Sequence, residues 1–159
     1  MAVLHHEIHI AAPPETVWAV LADLTAVRHY NPLVQSARYT SKDKSGIGAS
    51  RRCELKPNGF TEERVDAWEQ GKLLGIELTD SSWPTASMRW QTTLQSTGSG
   101  TSMRQEMNYR LKFGPVGRLL DALVLRRKLT ADINEIFAAF KAHVESLHRT
   151  RQGAPVVED

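Results

Sequence analysis

From Pro115 to Leu147 the residues Leu119, Leu120, Leu123, Leu129, Ile133, Ile136, Phe137, Phe140, Val144 and Leu147 recur at spacings of three and four, with one wider gap after Leu123. That period belongs to one long amphipathic α-helix, and an apolar stripe of this length has to be covered by a surface of matching length. Pro115 suits the first turn, where its missing N–H would have had no partner, and Gly114 serves as the turn residue before it. The preceding sequence must therefore supply a broad apolar face.

It does so as strands. Val3 to Ile10 alternates, with Leu4, His6, Ile8 and Ile10 on one side. Pro13 and Pro14 stop it and open a helix from about Glu15 to Leu24, with Val17, Trp18, Val20, Leu21 and Leu24 as its apolar face and Glu15 at the positive end of its dipole. A second short helix, Ala26 to Tyr30, ends at Asn31-Pro32. Strands are expected at 34–41, 48–56, 61–69 and 72–80, with a hairpin turn at Pro57-Asn58-Gly59. The clearest alternation lies in 88–94 and 101–111, joined by Gly98-Ser99-Gly100. There Met88, Trp90, Thr92 and Leu94 share one face, as do Met103, Gln105, Met107, Tyr109 and Leu111, which marks antiparallel strands with one buried side. The order is strand, two short helices, six strands, long helix. A sheet of about seven strands is wide enough to twist and curl around that helix. A single domain over 1–148 and a flexible tail over 149–159 follow.

Composition narrows the function. Twenty Lys and Arg stand against 18 Asp and Glu, interspersed along the chain, so nucleic acid is not an expected partner. Arg126, Arg127 and Lys128 form the main basic run; it reads as a solvated helix face, with contact to an anionic ligand or lipid headgroup as the alternative. Cys53 is alone, which excludes an internal disulfide and fits a reducing cytoplasm. No stretch reaches membrane-spanning length, and peripheral membrane contact stays open.

Chemical motifs are few. His5, His6 and His9 do not make a metal site, because on a strand His5 and His9 are too far apart and His6 points away. Gly46 and Gly48 give only G-x-G, without the strand-to-helix setting of a dinucleotide site. Cys53 shares the inward parity of Leu55 and reads as a small core residue. No metal or cofactor is expected. The informative feature is the inward side of the last strands, where Gln105, Tyr109 and Thr92 sit among Met and Trp. Either local pairs satisfy these polar groups in a filled core, or they orient an apolar guest in a cavity.

Beyond these readings, Ala12-Pro13-Pro14-Glu15-Thr16-Val17-Trp18 after the first strand, Asp23-Leu24, the Tyr30-Asn31-Pro32 turn, and Phe113-Gly114-Pro115-Val116-Gly117 leading into a Leu/Arg-rich helix resemble the START-like superfamily. This group is also called Bet v 1-like or SRPBCC, and the likeness is to its polyketide cyclase/dehydrase and lipid-transport branch. It runs from about Val3 to Leu147. Members often carry tryptophan where this chain has Tyr30. The resemblance implies an α+β helix-grip fold: a seven-stranded antiparallel sheet curved around the long C-terminal helix, with two short helices closing one end and a cavity between sheet and helix.

On that frame Trp90, Thr92, Met103, Gln105, Met107, Tyr109, Ile133 and Phe137 are expected to bind a ligand, with Tyr30, Asn31 and Trp83 at the entrance. The leading expectation is binding of a small, mostly hydrophobic molecule, lipid-like or aromatic, by a monomer or homodimer. One alternative is a polyketide cyclase, aromatase or dehydratase with Tyr109 as acid or base, Gln105 orienting a carbonyl and His29 contributing. Another is a protein-interaction module with an occluded pocket.

Overall fold

The period-two segments assemble into one seven-stranded antiparallel sheet in the computed structural model, which describes residues 2–153. The strands are β1 (Ala2–Ile10), β2 (Val34–Tyr39), β3 (Ser50–Leu55), β4 (Phe60–Glu69), β5 (Leu73–Ser81), β6 (Thr85–Thr97) and β7 (Gly100–Leu111). Their order is β1-β7-β6-β5-β4-β3-β2. Strands β2 to β7 are joined to their sequence neighbours, as short connections between antiparallel strands dictate. β1 closes the far edge against β7, so the chain must cross the open end of the sheet to reach β2. Helices α1 (Pro14–Ala22) and α2 (Val27–Tyr30), with a 3₁₀ turn at Leu24–Ala26 between them, make that crossing.

Register shifts at Val34/Ser36, at Glu62/Glu63 and Val65/Ala67, and at Thr85/Ser87 mark irregularities in the ladders. Bulges of this kind add local twist and bend a sheet. The expected turn at Asn58-Gly59 is present: Gly59 has φ +105°, and the Leu55 N–H donates to its carbonyl at 2.9 Å. On the convex face Arg89 pairs with Asp66 at 2.5 Å, and Arg52 with Glu54 at 2.7 Å and Glu62 at 3.0 Å. Gly75 makes room for the first pair, since a Cβ there would lie 2.5 Å from Asp66 Oδ1 and 2.7 Å from Arg89 Nη2.

The C-terminal helical run has three parts: α3 (Gly114–Leu120), a π-helical segment (Asp121–Leu125) and α4 (Arg126–Gly153). From α4 the residues Ile133, Phe137, Phe140 and Val144 enter the core beside Leu4, Ile10, Met103, Met107 and Tyr109. His6 meets Phe137 edge-on, with ring centroids 5.7 Å apart. His5 is exposed and His9 bonds Thr97 and Ser99 on the other side of β1.

Three expectations change here. The apolar stripe is not buried along its whole length, because Leu119, Leu120 and Leu123 are exposed. They precede the point where the helix meets the concave face, and Gly117, which closes on Leu111 and Phe113, is the buried residue of α3. The wider gap after Leu123 coincides with the π-helical segment. Leu147 is also exposed, past the last buried residue, Val144. The helix continues through Arg149 to Gly153, where a flexible tail was expected to have begun; 154–159 lie outside the described residues. Among the described residues no helix is long and apolar enough to cross a membrane.

Candidate functional site

A cavity of about 430 Å³ lies between the concave face of the sheet and α4, within the range of small-molecule sites. Its wall follows from strand register. Trp90 stands opposite Met107, Thr92 opposite Gln105, Met88 opposite Tyr109 and Leu94 opposite Met103, so one parity choice in β6 and β7 delivers the whole set to the same face. Trp90, Thr92, Met103, Gln105, Met107 and Tyr109 all line the cavity, and Ile133 and Phe137 face them from α4.

Tyr30, Asn31 and Trp83 line it as well. Asn31 ends α2, its Oδ1 accepting from the Leu33 N–H at 3.0 Å, which turns the chain into β2. The ring of Tyr30 meets Phe140 edge-on at 4.8 Å and so ties the crossing helices to α4.

The expected polar residues have partners. Gln105 Nε2 donates to Thr92 Oγ1 at 3.2 Å. The buried Tyr109 hydroxyl donates to the Asp121 carboxylate in the π-helical segment. Burial first, and then that carboxylate, raises the Tyr109 pKa, so its proton is held. His29 is not among the cavity-lining residues; it stacks on His143 at 5.7 Å.

The most polar part of the cavity was not anticipated. Arg51 and Glu63 are directly opposite on β3 and β4 and both point inward. Arg51 Nε donates to Glu63 Oε2 at 2.6 Å and Nη2 approaches the same oxygen at 2.5 Å, with both side chains under one-tenth exposed. Arg51 Nη1 donates to the Leu24 carbonyl at 2.8 Å, and Thr61 Oγ1 donates to Glu63 Oε1 at 2.9 Å. The pair therefore pins the 3₁₀ turn to the sheet while lining the cavity with Tyr30, Cys53 and Thr61. A signal existed in β3, where Arg51, Cys53 and Leu55 share a parity. The inward reading of Cys53 already placed Arg51 inside, against the usual preference of arginine for water.

Burial is the largest single influence and opposes the Arg51 charge, but Glu63 together with Cys53 and Tyr30 outweighs it, and the guanidinium pKa is raised. Burial pushes the Tyr30 phenol up to about 12, although Arg51 pulls the other way. Burial likewise lifts the Cys53 thiol to about 11, which keeps it protonated. The cavity is thus mainly apolar, and its buried charges, Arg51 and Glu63, sit with Thr61 and Tyr30 at the end toward the β2 edge of the sheet. Because the Arg51 charge is already met by Glu63, that end suits a neutral hydrogen-bonding group better than a free anion.

The sequence matches the family described as polyketide cyclase/dehydrase and lipid transport over residues 1–145. The fold is similar to that of TTHA0849 from Thermus thermophilus, with TM-score 0.77 and 17% identity, covering 92% of this chain and 99% of that one. A START superfamily protein from Mycobacterium smegmatis gives TM-score 0.75 at 14% identity, covering 91% and 98%. Ara h 8.0201 gives 0.72 at 14%, again covering 91% and 98%. At these identities the likeness shows the helix-grip fold alone. No curated protein matches the chain in sequence.

Proposed function

Because this chain belongs to the polyketide cyclase/dehydrase and lipid-transport family, we propose that it binds a small, mostly apolar molecule with one uncharged polar end. The apolar part lies along Trp90, Met103, Met107, Ile133 and Phe137. The polar end, a carbonyl or hydroxyl, lies at Arg51, Glu63 and Tyr30. The observation that carries this reading is the buried Arg51–Glu63 ion pair, which stands with Thr61 and Tyr30 in a cavity whose walls are mainly apolar. Burying roughly 300 Å² of such a guest yields on the order of 7 kcal/mol before association costs, enough for useful affinity without a covalent anchor.

The test is a matched pair of probes, 2-acetylnaphthalene and 2-ethylnaphthalene, titrated by quenching of tryptophan fluorescence. Both are expected to bind saturably, the ketone more tightly. Replacing Arg51 and Glu63 together by Met is expected to erase the preference for the ketone, whereas Met103→Trp, which fills the cavity, removes both. Lack of saturable binding by either probe, together with native mass spectra free of retained small molecules, would end the reading.

A cyclase or dehydratase is the second reading, and the same polar end favours it. The proton of Tyr109 is engaged by Asp121, so the acid would be Tyr30, with Arg51 polarising a substrate carbonyl. Turnover of a poly-β-ketone substrate that is unchanged in Tyr30→Phe would remove it. The interior cavity argues against an interaction module of the occluded-pocket kind.

A further inference from the structure

Six large apolar side chains remain uncovered at the start of the C-terminal helical run. Phe113, Val116, Leu119, Leu120, Leu123 and Val124 are between 47% and 64% exposed. From Val116 onward they recur at three- and four-residue spacings, so they form one face of α3 and the π-helical segment rather than scattered surface residues. Isolated exposed leucines need no explanation, but a contiguous apolar face on a helix does.

The surroundings of that face identify its occupant. Between positions 110 and 128 the chain has Arg110, Lys112, Arg118, Arg126, Arg127 and Lys128, all exposed, and one acid, Asp121, which is engaged by Tyr109; Arg126 also donates to the Val3 carbonyl at 3.1 Å and Lys128 pairs with the partly exposed Asp132 at 2.9 Å, so their charges stay at the surface. Over the whole chain basic and acidic residues nearly balance, 20 against 18, so the local excess of positive charge lies beside this uncovered apolar face. A second copy fits poorly, because a two-fold contact through this face would bring the same cations together. A surface that takes apolar side chains between anionic groups fits both features.

We propose that Phe113 to Val124, with its basic border, seats the protein on the surface of an anionic lipid bilayer. The apolar side chains enter the boundary between headgroups and acyl chains, and the arginines and lysines meet the phosphates. The face adjoins the cavity, since Leu125, Lys128 and Leu129 line it one turn further along. Docking therefore brings the cavity to the lipid surface. That last consequence rests on the binding reading above, while docking itself does not.

The test is flotation with vesicles of phosphatidylcholine alone and of phosphatidylcholine with about one-third phosphatidylglycerol. The protein is expected to float with the anionic vesicles and to be released as salt rises. Replacing Arg126, Arg127 and Lys128 by Gln is expected to weaken anionic binding by about a hundredfold. The double variant Leu120→Asp/Leu123→Asp is expected to weaken it by at least about tenfold. Near-ultraviolet circular dichroism establishes that both variants are folded, which their exposed positions favour. Met103→Trp should float like the parent protein, which separates failure of the cavity reading from failure of this one. Folded protein that ignores anionic vesicles, or binding unaffected in both variants, overturns the proposal. So does sedimentation showing a dimer abolished by the Leu120→Asp/Leu123→Asp change without vesicle binding, which assigns the face to a second copy.

Discussion

Replacing Arg51 by Met strips the partner from a carboxylate that is under one-tenth exposed and leaves the Leu24 carbonyl without its donor. Removing one member of a buried pair typically costs about 3–5 kcal/mol, because the remaining charge stays desolvated. Glu63 keeps only the Thr61 hydroxyl at 2.9 Å, too little to offset a loss of that size. In the double variant Arg51→Met/Glu63→Met no charge is stranded. What remains unpaired is a carbonyl and a hydroxyl, each worth about 1–3 kcal/mol if dry and less if water in the cavity reaches them. The double variant is therefore expected to be more stable than the Arg51→Met single. Urea unfolding followed by tryptophan fluorescence reads the difference: at about 2 kcal/mol per molar urea, a 4 kcal/mol loss lowers the midpoint by about 2 M. Equal midpoints for the single and double variants, or a single-variant cost under about 1 kcal/mol, would refute the reasoning. Either result would mean that the pair is effectively solvated and the polar end of the cavity is wet.

Burial is the leading cause that holds His6 and His143 below the ordinary imidazole value of 6.5. Charging them thus costs the folded state, and stability should be fully present above 6.5 and decline as pH falls toward their depressed values; thermal melts across that window, repeated on His6→Gln/His143→Gln, should show the slope flatten. Tyr109→Phe removes the hydroxyl that Asp121 holds, so it should lower stability by about 2 kcal/mol in urea titrations while leaving naphthalene-probe binding nearly unchanged. Cys53 is buried and its thiol is pushed up to about 11; a disulfide reagent at neutral pH should label it far more slowly in the folded than in the urea-unfolded protein, and equal rates would contradict its placement.

Much of the fold could be read from periodicity. Strict alternation in β6 and β7 placed Trp90, Thr92, Met103, Gln105, Met107 and Tyr109 on one face, and the structure puts that face on the cavity. Helical spacing placed Ile133, Phe137, Phe140 and Val144 on one buried stripe. The same spacing failed at Leu119, Leu120 and Leu123. A repeat shows which side chains share a face, not whether another surface reaches it. Arg51 and Glu63 were missed for the converse reason: one charge alone points outward, and only a partner directly opposite on the next strand makes the inward choice tolerable.

Local sequence determined the elements, their faces and the identity of the apolar wall, because side-chain period is a property of each segment's own backbone geometry. Tertiary structure alone decided where the sheet's cover ends along the C-terminal helix, how Asp121 engages Tyr109, and that a buried ion pair lines the cavity. Those outcomes depend on cross-strand register and on the distance between layers, which relate residues far apart in the chain and leave no repeat within any one segment.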